Sequence, residues 1–283
     1  MSDFQLEAHH LKVSFCSMVH KHKKILYSVK EKNYTEVADQ GDFRSLYFKN
    51  NVVQSRISLR QPGKLILKYT QYMMAASLLA KPQPSRILLI GVGAGSLLHF
   101  IHAYLPAAHV DAVDYSPDVL QIAREYFALP ENEKIIIHCA DGLQYLAKCS
   151  KKPSYDLILI DAFNDQGMAK NIYSHDFFKL ARNRLSTNGT ICCNLWSGNK
   201  RLLNNVKKII FKNSASSLFI PVAKRENIIA LLLQNSPEWQ QLSPSYEILN
   251  NYSLKYQINF KEVSLSARKN NMKLSEKLSF WLN

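Results

Sequence analysis

Four short stretches of this 283-residue chain carry residue types that could bind and act on a small polar ligand. The first is Gly91-Val92-Gly93-Ala94-Gly95, which follows the apolar run Arg86-Ile87-Leu88-Leu89-Ile90 without a break. Glycines between a buried strand and a helix let the backbone approach a ligand and adopt positive φ. The helix behind them offers unpaired N–H groups. The second stretch is Asp114, 23 residues after Gly91 and at the end of the next apolar run, where a carboxylate can accept from ribose hydroxyls. The third is Asp141-Gly142, where an acid can accept from an adenine amino group, and the fourth is Asp161, at the end of a further apolar run. The loop spacing is Gly-x-Gly-x-Gly rather than the Gly-x-Gly-x-x-Gly of dinucleotide folds, and no Gly-Lys-Ser/Thr phosphate loop occurs. The set points to an adenosine site of the S-adenosylmethionine type rather than a phosphate site. Each stretch also has a structural reading: a tight strand–helix turn for the glycines, and turn or cap positions for the aspartates.

Such residues need elements that bring them to one edge of a sheet. Short buried-strand runs are predicted at residues 86–90, 110–114, 135–139, 156–161 and 190–195. Helices are predicted between them over 96–105, from Ser116-Pro117-Asp118 to about Leu129, and over 174–185, with Asn188-Gly189 as a turn. Ser116 reads as an N-cap, Pro117 as the first helical residue and Asp118 as an acid in the first turn. Repeated strand–helix units imply a parallel sheet with right-handed crossovers. A helix over 200–212 and β-like runs at 218–222 and 227–233 would finish it with a final parallel strand and a hairpin partner. Upstream, runs at 25–29, 34–37, 43–48 and 52–58 are separated by Asp39-Gln40-Gly41-Asp42 and Asn50-Asn51, which predicts a small antiparallel sheet of hairpins. A helix over 65–80, closed by Pro82 and Pro84, joins the two parts. The expected fold class is α/β, with a β-hairpin domain over residues 1–63 and a nucleoside-binding catalytic domain over 64–283.

Composition narrows the partners. Thirty-six Lys and Arg against 22 Asp and Glu give +14, and the last 87 residues hold 13 basic and 5 acidic residues. A basic surplus can mark a nucleic-acid or anionic-lipid surface. Here the lysines are scattered without aromatic interleaving, so a solvated basic face is the favoured reading and nucleic acid is not. No apolar run approaches the roughly 20 residues of a membrane span, and no secretory signal is visible at the start. Five cysteines without a Cys-x-x-Cys pair argue against a disulfide framework and against zinc, so no metal is expected and a reducing cytoplasm is the expected compartment. Cys192-Cys193 read as packing residues, His9-His10 and His20-x-His22 as surface, and Trp196 as either cleft lining or core.

The region from about Gln54 to Leu195 resembles the spermidine synthase group of polyamine aminopropyltransferases. That family joins a small N-terminal β-domain to a Rossmann-like domain of the class I methyltransferase type. It moves an aminopropyl group from decarboxylated S-adenosylmethionine to a diamine. Val53-Gln54-Ser55 resembles the family's nucleoside-contacting glutamine segment, and Tyr69, 22 residues before Gly91, resembles the tyrosine of its Tyr-His-Glu motif. The resemblance implies donor-binding roles for Gln54, Gly91, Gly93, Gly95, Asp114, Asp141 and Gly142. It implies catalytic roles for Asp161, as the first aspartate of an Asp-x-x-Asp segment that activates the amine, and for Tyr69. It also allows a homodimer. Four positions depart from the pattern. Ala94 replaces the loop aspartate that holds the aminopropyl amine, Thr70 and Gln71 replace the motif's histidine and glutamate, and Asn164 replaces the second aspartate, with Asp165 beside it.

The expected function is therefore aminopropyl transfer from decarboxylated S-adenosylmethionine to a small amine. The alternatives are an S-adenosylmethionine-dependent methyltransferase and a non-catalytic nucleoside-binding protein. Without the loop aspartate, the carboxylate of S-adenosylmethionine would meet less repulsion, which favours the first alternative. No Asn-Pro-Pro-Tyr-like segment follows the fourth strand, where Asp161-Ala162-Phe163-Asn164 stands instead.

Overall fold

The computed structural model describes residues 23–29, 34–48, 52–148, 154–164, 167–234 and 242–271. The Asn50-Asn51 turn, the histidine pairs, Cys16, Cys149 and Asp165 lie outside these residues. Strands β1 (Lys24–Val29), β2 (Thr35–Gln40), β3 (Phe43–Phe48) and β4 (Val52–Ser58) form an antiparallel meander in chain order. The turn between β2 and β3 is tighter than the sequence suggested, because Gln40 already pairs with Phe43. Only Gly41 and Asp42 remain in the loop, and Gly41 takes a φ of +64°. A two-residue hairpin favours glycine at such a position because its twist must match that of the strands.

Helix α1 (Lys68–Ala80) follows. The predicted helix began at Leu65, but Leu67 is extended and stands at the N-cap position. Side-chain bonds hold this entry: Thr70 Oγ1 donates to the Leu67 carbonyl at 2.7 Å and Gln71 Nε2 to the Leu65 carbonyl at 2.8 Å.

From there strands and helices alternate: β5 (Arg86–Ile90), α2 (Ser96–Tyr104), β6 (His109–Asp114), α3 (Pro117–Phe127), β7 (Ile135–Cys139), α4 (Gly142–Lys148) and β8 (Tyr155–Ile160). Ser116 caps α3 as expected, accepting from the Val119 N–H. A short hairpin, β9 (Phe163–Asn164) and β10 (Gly167–Met168), precedes α5 (His175–Asn183). The chain ends its described part with β11 (Leu185–Trp196), α6 (Lys200–Asn213), β12 (Ser216–Pro221), β13 (Asn227–Leu233), α7 (Tyr246–Tyr256) and α8 (Phe260–Asn271). Two expectations need correction here. Leu185 is not helical but opens β11, and Asn188-Gly189 is not a free turn but an irregularity within that strand. The register with β8 jumps between the Leu185–Tyr155 and Thr190–Leu157 pairs, and Asn188 takes a φ of +61°. The polar Ser-Thr-Asn-Gly run masked this strand extension. Helix α7 was not foreseen at all.

The large sheet has the order β12-β13-β11-β8-β5-β6-β7, with β13 antiparallel to both neighbours. The last parallel-oriented strand is thus β12, at the edge, and its hairpin partner β13 is inserted between it and β11. Alternation along the strands feeds two cores. Ile87, Leu89, Leu157 and Leu159 pack with α1, α2, α3 and α8, whereas Leu88, Ile90, Ile158 and Ile160 pack with α4, α5 and α6. Cys192 and Cys193 are fully buried, one on each side of this sheet, as packing residues. Among the described residues no helix is long and apolar enough to cross a membrane.

A third apolar cluster joins the two sheets. Val37, Leu46 and Ile57 of the small sheet meet Ala94, Ile122 and Phe127 of the large unit. Arg44 crosses the same seam, donating to the Tyr126 carbonyl while it pairs with Asp39. Phe127→Ala is expected to lower stability by about 3–5 kcal/mol, the range for emptying a buried aromatic site. Urea unfolding of the full chain measures this.

Candidate active site

The chain order turns back at β5: the strands run outward to β6 and β7, then return to β8 on the other side. Ligands in such sheets bind beyond the carboxyl ends at this reversal. Gly91 leaves β5 there and Asp161 leaves β8 there, tied together by the Asp161 N–H donating to the Ile90 carbonyl at 2.9 Å. Gly91 takes a φ of +92°, and a Cβ on it would lie 2.2 Å from the Asp161 carbonyl oxygen. Only glycine fits both constraints. Gly93 and Gly95 also have positive φ, and Gly95 is the N-cap of α2.

Asp114 pins this loop. Its Oδ2 accepts from the Val92 N–H at 2.8 Å and the Gly93 N–H at 3.4 Å, and its Oδ1 accepts from Ser116 N–H at 3.0 Å. A carboxylate offers about four acceptor positions, so these bonds leave room for about one more donor. Asp141 stands at the end of the neighbouring strand. It caps α4 by accepting from the Gln144 N–H at 3.0 Å, and its other oxygen accepts from the Asn171 side chain. Gly142 is buried, and a Cβ there would press on Ile90 and Ile172 at 2.9 and 3.0 Å. Its residue type is thus explained by packing at the mouth of β5.

The centre of the site is a polar chain through Asp161. Tyr69, from α1, donates to Asp161 Oδ2 at 3.0 Å, and its hydroxyl lies 3.5 Å from the Gln54 carbonyl. Asn194, buried on β11, donates to Asp161 Oδ1 at 2.8 Å. Burial pushes the Asp161 carboxyl above its ordinary range, and the Asn194 and Tyr69 hydrogen bonds partly offset this. Burial first, and then the charge of Asp161, push the Tyr69 phenol well above its ordinary range, so it remains a donor at neutral pH. Gln54 occupies a β-bulge: Leu46 pairs with Ser55 and Tyr47 with Val53, which leaves Gln54 unpaired between them. Bulges re-aim residues beside active sites. Here the bulged strand comes from the small sheet, and Ser55 faces Gly93.

The structure therefore gathers Gln54, Tyr69, Gly91 and Asp161 around one point, with Gly93 and Asp114 adjoining and Asp141-Gly142 one strand further out. Asn194, Asn227 and Tyr173 were missed. The signal for Asn194 was present, as a single amide inside the buried run Thr190–Leu195. The departures have local explanations. Ala94 is fully buried in the seam between the sheets, Thr70 and Gln71 bond to the backbone entering α1, and Asn164 is exposed in the β9–β10 hairpin. Trp196 donates to Glu226 at 2.8 Å. Among the described residues no cluster of three or more His, Cys, Asp or Glu side chains could hold a metal ion.

A Rossmann-like sheet of the methyltransferase type, walled by a small β-sheet, defines the class of this site. Residues 66–240 match the family described as the spermine/spermidine synthase domain. The chain is 31% identical over 236 residues to a polyamine aminopropyltransferase of Neisseria meningitidis, covering 83% of this chain and 89% of that one. It is 34% identical over 211 residues to the polyamine aminopropyltransferase of Chromobacterium violaceum, covering 73% and 80%. Among solved structures it resembles a spermidine synthase in complex with the transition-state analogue AdoDATO, with a TM-score of 0.70 at 13% identity over 92% of this chain and 89% of that one. The chain belongs to the spermine/spermidine synthase family.

Ionising a carboxyl whose folded pKa is raised costs the folded state free energy. Asp161 therefore contributes stability fully below the ordinary aspartate pKa of about 3.9, and this is lost as pH rises through the higher folded value. In the catalytic role that the family resemblance implies for Asp161, Asp161→Asn is expected to reduce turnover by about 10²–10⁴-fold, the usual loss for a general base. At pH 7 the variant is expected to melt above the wild-type chain, and the gain should vanish in acid. Steady-state kinetics and calorimetric melting at two pH values check both parts.

Proposed function

We propose that this protein transfers an aminopropyl group from decarboxylated S-adenosylmethionine to a small diamine. The observation that carries this reading is the Asp161 carboxylate, held by Tyr69 beside the glycine loop in a chain of the aminopropyltransferase family. The glycine loop, the α2 N-terminus and Asp114 would cradle the ribose, with Asp141 toward the adenine and Gln54 closing the site from the small sheet. These assignments rest on the positions of the residues at the sheet's carboxyl edge and on the family pattern.

The chemistry asked of Asp161 follows from the acceptor. A primary amine with a pKa near that of lysine, about 10.4, is protonated at pH 7, and a neutral nucleophile costs about 4–5 kcal/mol. A carboxyl whose pKa burial has raised is, once ionised, a stronger proton acceptor than a solvated aspartate. The amine nitrogen then attacks the propyl carbon next to the sulfonium. The carbon–sulfur bond breaks, the sulfur keeps the electron pair, and neutral methylthioadenosine leaves. Tyr69, kept protonated, orients the carboxylate from one side. No metal is needed for this displacement.

The net charge of +14 opposes a cationic substrate. Screening over about 8 Å confines that repulsion at physiological salt, so the local carboxylates decide. Three of the family's acids are replaced, by Gln71, Ala94 and Asn164. The buried position of Ala94 leaves no carboxylate in the loop for the donor's amine. The chain is therefore expected to hold its donor and acceptor more weakly than the family pattern implies, and to discriminate less against S-adenosylmethionine. Methyl transfer is the less favoured reading. A small amine rather than nucleic acid is the partner, and a cytoplasmic compartment and a homodimer complete the proposal.

Incubation with decarboxylated S-adenosylmethionine and a panel of diamines is expected to release methylthioadenosine with formation of the longer polyamine. Its absence across the panel would sink the proposal, and S-adenosylhomocysteine formed from S-adenosylmethionine would replace it with methylation. Titration calorimetry is expected to show the decarboxylated donor preferred by no more than about tenfold, or 1.4 kcal/mol.

A further inference from the structure

The amide of Asn194 has a donor end and an acceptor end, and its direction in the site is not arbitrary. Its Nδ2 donates to Asp161 Oδ1 at 2.8 Å, and its Oδ1 accepts from Asn227 Nδ2 at 3.0 Å. Its backbone carbonyl accepts from the Tyr173 hydroxyl at 2.6 Å, which anchors the strand without touching the side-chain amide. Asn194 pairs across β11 and β13 with Ile229, so Asn227 is a diagonal neighbour on the same face. Turned end for end, Asn194 would aim an acceptor at a carboxylate and its NH₂ group at another NH₂ group. Both contacts would be repulsive.

We infer that Asn227 is a positioning residue for amine activation: by donating to Asn194 it fixes the amide end that meets Asp161, and so sets the pH at which that carboxylate is ready to accept a proton. This rests on Asp161 being the amine base. The other titratable groups facing Asp161 are Tyr69 from α1, Tyr173 from the segment before α5 and Cys192 from β11, with Cys193 next to it. Burial pushes all four upward, Cys192 to about 12, so they stay neutral through the acid limb of the profile. The Asn194 hydrogen bond favours the ionised form of Asp161. Weakening it raises the carboxyl's pKa and moves the acid limb to higher pH.

The experiment is a double-mutant cycle on the full chain, with the acid limb of kcat/KM as readout and decarboxylated S-adenosylmethionine and a diamine as substrates. Asn194→Ala is expected to move the limb upward by about one pH unit. Asn227→Ala is expected to move it in the same direction by less, and the double variant to match Asn194→Ala, since the effect travels through one amide. A merely structural Asn227 would lower kcat at every pH without moving the limb. An unmoved limb, or shifts that add in the double variant, overturns the inference. Should Asn227→Ala fail to fold, Asn227→Leu keeps much of the shape and loses the donor without adding charge, and the same upward shift is expected. Carbon-13 NMR titration of the Asp161 carboxyl in the same variants reads the shift without turnover. A shifted carboxyl in a chain that transfers nothing would count against the proposed function and leave the positioning role standing.

Discussion

A carboxylate taken out of water keeps its charge only where hydrogen-bond donors replace the water it has lost. In this protein those donors reach Asp161 from both sides, a phenol on α1 and an amide on β11, and the amide is itself held by Asn227. The arrangement needs α1, β8, β11 and β13 in fixed relation, which the large sheet supplies. It also needs Gly91, because any side chain there would displace the Asp161 backbone. The glycine loop and the carboxylate are thus one unit built on two neighbouring strands.

The replaced family residues make sense within that unit. Position 94 lies in the apolar seam to the small sheet, with Ile57 and Phe127 among its neighbours, and alanine suits it. The seam presses the bulged strand β4 against the cleft, which brings the Gln54 carbonyl near Tyr69. Packing stands here where the family pattern has an acid, so on the proposed reading the glycine loop is well formed while the amine would rely on Asp161.

Much of this was legible in the sequence because the relevant signals are local. The strand at residues 135–139 and the cap at Ser116 follow from apolar run length and from capping chemistry, and both stand where expected. Gly91, Asp114, Asp141 and Asp161 are readable because each ends a strand. What could not be read depends on contacts distant in sequence. Leu185–Asn188 looks like a helix end and turn, yet pairing with Tyr155 draws it into a strand. Asn227 has no mark of its own, since its place is set by the register of β13 on β11. Gln54 was found through a family pattern, while the bulge that singles it out emerges only from pairing with β3.

The three backbone N–H groups gathered by Asp114 bear on how fast a ligand can settle. With these bonds in place the glycine-rich turn is fixed in its left-handed geometry. Little chain entropy is left to lose on association, and capture can proceed without waiting for a loop to fold. The same clamp removes slack: on the proposed reading, a nucleoside whose sugar edge does not match the fixed Asp114 carboxylate would meet a rigid wall rather than an accommodating one.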